Sequence, residues 1–152
     1  MSIGSEYDVV LDRVTFVYEG NERPSIDSVE LKIKKGEILM VTGPAGAGKT
    51  TVCRCVNTLI PNFFYGKLNG AVMVQGQDTK SFSMVSQLAD RVGYVAQDPQ
   101  TQLFCPTVED EIAFGLETLG RPRDEINERL NQVIEITRLE KYRTKDPHSL
   151  SG

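Results

Sequence analysis

The sequence predicts an α/β protein in which a phosphate-binding loop joins a buried strand to a helix. Three observations carry that prediction. Gly43-Pro44-Ala45-Gly46-Ala47-Gly48-Lys49-Thr50-Thr51 is a full match to G-x-x-x-x-G-K-[ST]. Ahead of it lie segments rich in β-branched and aromatic residues, and from Cys105 onward the apolar residues recur at helical spacing.

In chain order, Val9 to Tyr18 reads as a strand on its β-branched and aromatic content. Val29 to Ile33 alternates Val29, Leu31 and Ile33 with Glu30, Lys32 and Lys34, the pattern of an antiparallel strand with one face in water. Lys35-Gly36 turns the chain into Glu37 to Thr42, which is apolar on both faces and so predicts a parallel strand covered by helices. Thr50 to Leu59 is compatible with a helix. Ala71 to Val74 predicts a short strand, Gly76-Gln77-Asp78 a turn and Ser83 to Ala89 a polar helical stretch. Val92 to Ala96 predicts a second central strand, joined to the first by a right-handed crossover. Thr107 is placed to cap a helix, with Asp110 in the reciprocal position, and Val108, Ile112, Leu116 and Leu119 follow along one stripe. Gly120-Arg121-Pro122 ends that helix. A second helix is expected from Arg123 to Leu139, its stripe being Ile126, Leu130, Val133, Ile134 and Thr137.

A length of 152 residues suffices for one ordinary domain, and 39% hydrophobic with 25% charged residues describes a globular chain. The formal charge of −4 gives no electrostatic reason to expect nucleic acid as a partner. No apolar run approaches the ~20 residues that span a bilayer, and a signal-peptide core is lacking, so a cytosolic chain is expected. The three cysteines and single histidine show no metal-ligand spacing. Cys53 and Cys55 should point to different helix faces, and buried reduced thiols are the expectation.

The loop's chemistry follows from its composition. Glycines let backbone N–H groups converge on phosphate oxygens without Cβ clashes. The helix N-terminus behind them adds its partial positive charge. Lys49 is a point charge for the β- and γ-phosphates, and the Thr50 hydroxyl is suited to Mg²⁺. Gln97 lies just past a predicted strand end, where α/β sheets put their chemistry, within reach of Mg²⁺ or an attacking water. Tyr18, ending the first strand, offers a face on which a flat base can stack.

The order of these features resembles the ATPase subunit of ABC transporters: aromatic strand end, phosphate loop, strand-end glutamine, helical segment, then Leu150-Ser151-Gly152. The resemblance implies an α/β P-loop NTPase (RecA-like) core with an N-terminal antiparallel β subdomain and a helical subdomain. It divides the chain into 1–104, the antiparallel β plus P-loop part ending at the Q-loop, and 105–152, the helical subdomain. Tyr18 becomes the adenine-stacking aromatic and Gln97 the Q-loop glutamine. His148-Ser149-Leu150-Ser151-Gly152 is similar to the start of the LSGGQ signature. Gln97-Asp98-Pro99 with Gln102-Leu103-Phe104, Thr107 to Gly115, and Asn57 to Tyr65 resemble more particularly the ATPases of energy-coupling-factor importers.

What the resemblance implies for function is an ATP-binding motor subunit coupling ATP binding and hydrolysis to solute uptake, with ATP and Mg²⁺ as cofactors. The nucleotide contacts would be Tyr18, the loop residues Gly43, Pro44, Ala45, Gly46, Ala47, Gly48, Lys49, Thr50 and Thr51, and Gln97, with Thr50 and Gln97 toward the metal. Ser151 and Gly152 would serve the nucleotide of a second ATPase subunit, closing head-to-tail as a homo- or heterodimer. Phe104 and the Thr107 to Gly115 segment are candidates for contact with a transmembrane coupling subunit, on the inner face of the cell membrane. The family's Walker B aspartate, catalytic glutamate and switch histidine would follow Gly152, so the expectation is the N-terminal part of a longer ATPase that binds nucleotide but hydrolyses it poorly. The alternatives are a soluble ABC-type ATPase acting on nucleic acid or ribosomes, and a GTPase or small-molecule kinase on the same loop. The GTPase has no N-K-x-D run to support it.

Overall fold

The computed structural model describes residues 6–150. They fall into two units, divided between Gly93 and Tyr94.

In the first unit, β1 (Tyr7–Tyr18) runs through the middle of a four-stranded antiparallel sheet. Its neighbours are β2 (Ile26–Lys34) and β3 (Gly66–Val74), and β4 (Gln77–Asp78) follows on the far edge, giving the order β2-β1-β3-β4. Both ladders of β1 shift register near Arg13, where Arg13 (φ 47°) and Ser28 on β2 (φ 48°) take left-handed backbone. The bulge has a purpose in packing. Strand side chains alternate with period two, so a one-residue insertion resets which face they point to. Val9 and Leu11 before it, and Val14, Phe16 and Tyr18 after it, therefore all reach the same core. Gly70 on β3 faces the bulge, and a Cβ there would stand 2.4 Å from the Arg13 carbonyl oxygen. Gln75 and Gly76, both at positive φ, form the tight turn between β3 and β4. The turn thus precedes Gln77-Asp78, which pair in the sheet instead of forming it.

Helix α1 (Lys49–Val56) and the short segment α2 (Leu59–Asn62), kinked at Ile60, cover one face of the sheet. The core there joins Leu11, Val14, Phe16, Ile26 and Val72 to Cys55 and Ile60. Cys53 is exposed while Cys55 is buried, so the two thiols do point apart, but only one is buried. The Ser83 to Ala89 stretch is helical only over the 3₁₀ turn Val85–Leu88.

Two strand expectations are corrected. Neither Glu37 to Thr42 nor Val92 to Ala96 pairs as a strand, and the one sheet among the described residues is antiparallel, with no parallel crossover. Ile38 is 98% exposed, Met40 83% and Val95 76%. A central parallel strand takes its backbone hydrogen bonds from neighbours on its flanks. Neither stretch has a ladder partner among the described residues, so the apolar run alone does not make a strand.

In the second unit, α3 (Val108–Thr118) and α4 (Arg123–Thr137) pack through Val108, Leu130 and Ile134, with Ile112, Leu139 and Leu150 at the margin. The Thr107 hydroxyl accepts from the Asp110 backbone N–H at 3.2 Å and donates to the Asp110 carboxylate at 2.6 Å. The cap is the expected one, with the carboxylate bound to the hydroxyl instead of to the capping backbone N–H. Val133 is exposed on α4, outside the stripe that contains Leu130 and Ile134. Arg138, in left-handed backbone, ends that helix.

Candidate nucleotide-binding site

The loop 43–48 leads directly into the first turn of α1. Gly43, Gly46 and Gly48 all have positive φ, at 150°, 80° and 90°. Gly48 is the most constrained of them. A Cβ there would lie 2.5 Å from the Ser25 carbonyl oxygen and 2.6 Å from Ile26 Cγ2, so the loop can meet α1 only where no side chain intervenes. Within residues 43–48, the Ala47 N–H alone has a described acceptor, the Pro44 carbonyl at 3.3 Å. The remaining N–H groups, with the unbonded first-turn donors of α1, are donors of the kind an anion takes.

Lys49 folds back over this loop, its ammonium donating to the carbonyls of Gly43 at 2.8 Å and Pro44 at 2.7 Å. Thr50 is exposed on the first turn, with its hydroxyl unengaged among the described residues. Loop N–H groups without a described acceptor, an ammonium at the loop and a hydroxyl unengaged among the described residues match the donor set that a magnesium-bound triphosphate requires. The residues present therefore fit Mg·ATP.

Tyr18 comes to the same place from β1. Its hydroxyl lies 3.2 Å from Thr51 Oγ1 on α1 and accepts from Arg54 Nη1 at 3.1 Å. Its ring meets Phe16 edge-to-face, with centroids 4.7 Å apart. Tyr18, the loop, Lys49, Thr50 and Thr51 are thus brought together within one unit. Arg54, which the motif reading omits, joins them. It lies three residues past Thr51, on the same helical face. Close by, burial pushes the Cys55 thiol up from 9.0 to about 12, which keeps it protonated and unreactive.

Gln97 belongs to the second unit, exposed in a bend before the 3₁₀ turn Pro99–Gln102. The backbone just ahead of it is held by another glutamine. Gln102 Oε1 accepts from the Ala96 N–H at 2.7 Å, and its Nε2 reaches the Tyr94 carbonyl at 3.4 Å. One side-chain amide thereby does for residues 94–96 what a neighbouring strand would do. Downstream, the Glu111 carboxylate accepts from the N–H groups of Phe104 at 3.0 Å and Cys105 at 2.8 Å. Burial first, and the Glu111 charge second, raise the Cys105 thiol. His148 Nε2 lies 3.1 Å from the Leu103 carbonyl oxygen. Ser151 and Gly152, assigned by resemblance to a partner's nucleotide, lie outside the described residues.

Comparison with known proteins gives a consistent result. The family described as ABC transporter matches residues 26–152. A Caldanaerobacter subterraneus subsp. tengcongensis protein is 40% identical over 149 residues, covering 97% of this chain and 26% of the relative. One from Pyrococcus horikoshii is 41% identical over 144 residues, covering 95% of this chain and 50% of the relative. Both carry the name "Putative ABC transporter ATP-binding protein". The chain thus spans between a quarter and a half of the length of these relatives. Among solved structures, cbiO1 of Clostridium perfringens, described as part of the ABC transporter complex cbiONQ, superposes with a TM-score of 0.79. The two are 24% identical, over 97% of this chain and 57% of the other.

Proposed function

The chain belongs to the ABC transporter family, as part of its ATP-binding domain, and from that premise we propose that it holds Mg·ATP in the motor of an importer. The fold is the α/β one of that ATPase, with its antiparallel β subdomain and helices. One observation carries the reading: the 43–48 loop leaves N–H groups without a described acceptor and holds the Lys49 ammonium against its own carbonyls, at the start of α1.

In this proposal the loop N–H groups and Lys49 hold the β- and γ-phosphates. Thr50 and Gln97 face the metal, which would supply charge neutralisation at the phosphates. Tyr18 stacks on the base. Residues 1–104 form the nucleotide core as far as the Q-loop and 105–152 the helical subdomain. Ser151 and Gly152 serve the nucleotide of a second ATPase subunit. To the residues of this chain we assign nucleotide binding. No helix among the described residues is long and apolar enough to cross a membrane. In this proposal coupling runs through a transmembrane subunit, contacted from the inner face of the membrane. Phe104 and Phe114, 63% and 41% exposed and edge-to-face at 4.6 Å, offer it an apolar foothold. The cbiO1 protein's description as part of a transporter complex supports such partners, and the motifs around Gln97 and Thr107 support an energy-coupling-factor type.

The test is Lys49→Ala, with ATP binding measured by titration calorimetry in the presence of Mg²⁺. Removing a charge-assisted donor worth about 1.5–3 kcal/mol should weaken ATP at least tenfold. Unchanged affinity would remove the phosphate-loop assignment.

A further inference from the structure

The base-stacking role proposed for Tyr18 raises the question of what holds its ring, and this inference rests on that role. Three groups from two stretches of chain, Thr51 and Arg54 on α1 and Phe64 after α2, meet at its hydroxyl and around its ring. Arg54 Nη1 donates to Tyr18 Oη at 3.1 Å, and Tyr18 Oη lies 3.2 Å from Thr51 Oγ1. The Arg54 guanidinium sits over the Phe64 ring, 3.8 Å from its centroid. The Phe64 ring in turn stands at 89° to that of Tyr18, with centroids 6.5 Å apart.

A guanidinium has only donors, so Tyr18 Oη accepts from Arg54. Between Tyr18 Oη and Thr51 Oγ1 either hydroxyl can donate. The two bonds tie the Tyr18 hydroxyl to α1, next to Thr50. Arg54 is not explained by packing alone. Its Nε is buried without an acceptor among the described residues, a defect that an unbranched apolar side chain of similar length would avoid. What the guanidinium adds is the bond to Tyr18, with its plane fixed by Phe64.

We propose that Arg54 is a positioning residue for nucleobase recognition: it locks the Tyr18 ring against α1, so that the base-stacking face is preorganised relative to the phosphate loop. Fixing the aromatic before the ligand arrives removes an ordering cost from base binding and leaves phosphate binding alone. ATP affinity should then depend on Arg54, whereas the affinity for a triphosphate without a base should not.

The experiment compares Mg·ATP with magnesium tripolyphosphate on the whole chain by calorimetry. Arg54→Met should weaken ATP roughly three- to tenfold, as expected for one lost hydrogen bond, and leave tripolyphosphate unchanged. Tyr18→Phe should do the same, and the double variant should be no worse than either single one. Arg54→Lys, which can donate but not lie flat on Phe64, should recover part of the loss. Equal weakening of both ligands by Arg54→Met would mean a merely structural role and overturn the proposal, as would unchanged ATP affinity. If Arg54→Met does not fold, Tyr18→Phe decides, since it keeps every ring contact; unaltered ATP binding there overturns the idea. Should Tyr18→Ala leave ATP affinity intact, the base assignment falls and this inference with it. Should it weaken ATP while Arg54→Met does not, only this inference falls.

Discussion

Gly48 is where a motif letter and a packing constraint coincide. The phosphate-loop pattern requires glycine there for close approach to phosphate, but the structure adds a second demand: β2 begins against that Cα, with the Ser25 carbonyl 2.5 Å from where a Cβ would stand. Gly46 shares the left-handed backbone, at φ 80°, yet a Cβ there would meet nothing within 4 Å. The pair separates strain from collision. Gly46→Ala should cost only the backbone strain, about 1–3 kcal/mol. Gly48→Ala should cost more, because backbone and Ile26 must also move, with both read by urea unfolding. Equal losses would show that the contact with β2 is relieved freely. The place of Lys49, Thr50 and Thr51 at the head of α1 was legible from the motif alone, since neighbours within the loop set it. Arg54 and Gln102 were not. Arg54 acts on a residue 36 positions away, and Gln102 substitutes for a strand whose absence no local pattern signals.

Elements formed where local pattern and packing agreed. Helix α3 was legible at its start because Thr107 and Asp110 are close in sequence and satisfy one another directly. Its first turn is also held by the Arg143 and Lys145 carbonyls, which accept from the Glu109 and Val108 N–H groups, both at 3.0 Å. Arg143 pairs with the Glu109 carboxylate as well. Thr107→Ala should therefore cost about 1 kcal/mol, seen as a lower denaturation midpoint, without unwinding α3, because those carbonyls remain. A loss of α3's circular dichroism signal would show that the side-chain cap, and not the carbonyls, sustains the helix. The strands tell a different story. β1 and β2 were read correctly as antiparallel, but the bulge at Arg13 and Ser28 that keeps both halves of β1 on the core was hidden. Two charged or polar residues in sequence carry no mark of left-handed backbone.

At the scale of the whole molecule, each unit has its own core, one around Phe16 and Ile60, the other around Val108 and Ile134. Neither covers Ile38, Met40 or Val41, which stand 98%, 83% and 48% exposed on backbone with no ladder. Extended apolar chain with open N–H and C=O groups invites pairing with another copy. Sedimentation should accordingly show a mass that rises with concentration, and Ile38→Lys with Met40→Lys should return it toward that of one chain. A concentration-independent monomer would show that this stretch is protected. The sequence by itself determined the phosphate-loop motif, the Thr107 cap and the strands before the loop, because each depends on residues within a turn or two of one another, and the family, because its motifs follow one another in order along the chain. Tertiary structure decided the rest: which apolar runs became strands, that Tyr18 meets Thr51 and Arg54, and which cysteine is buried. Those outcomes depend on which distant segments lie alongside, and hydrogen bonds and burial are granted by neighbours in space.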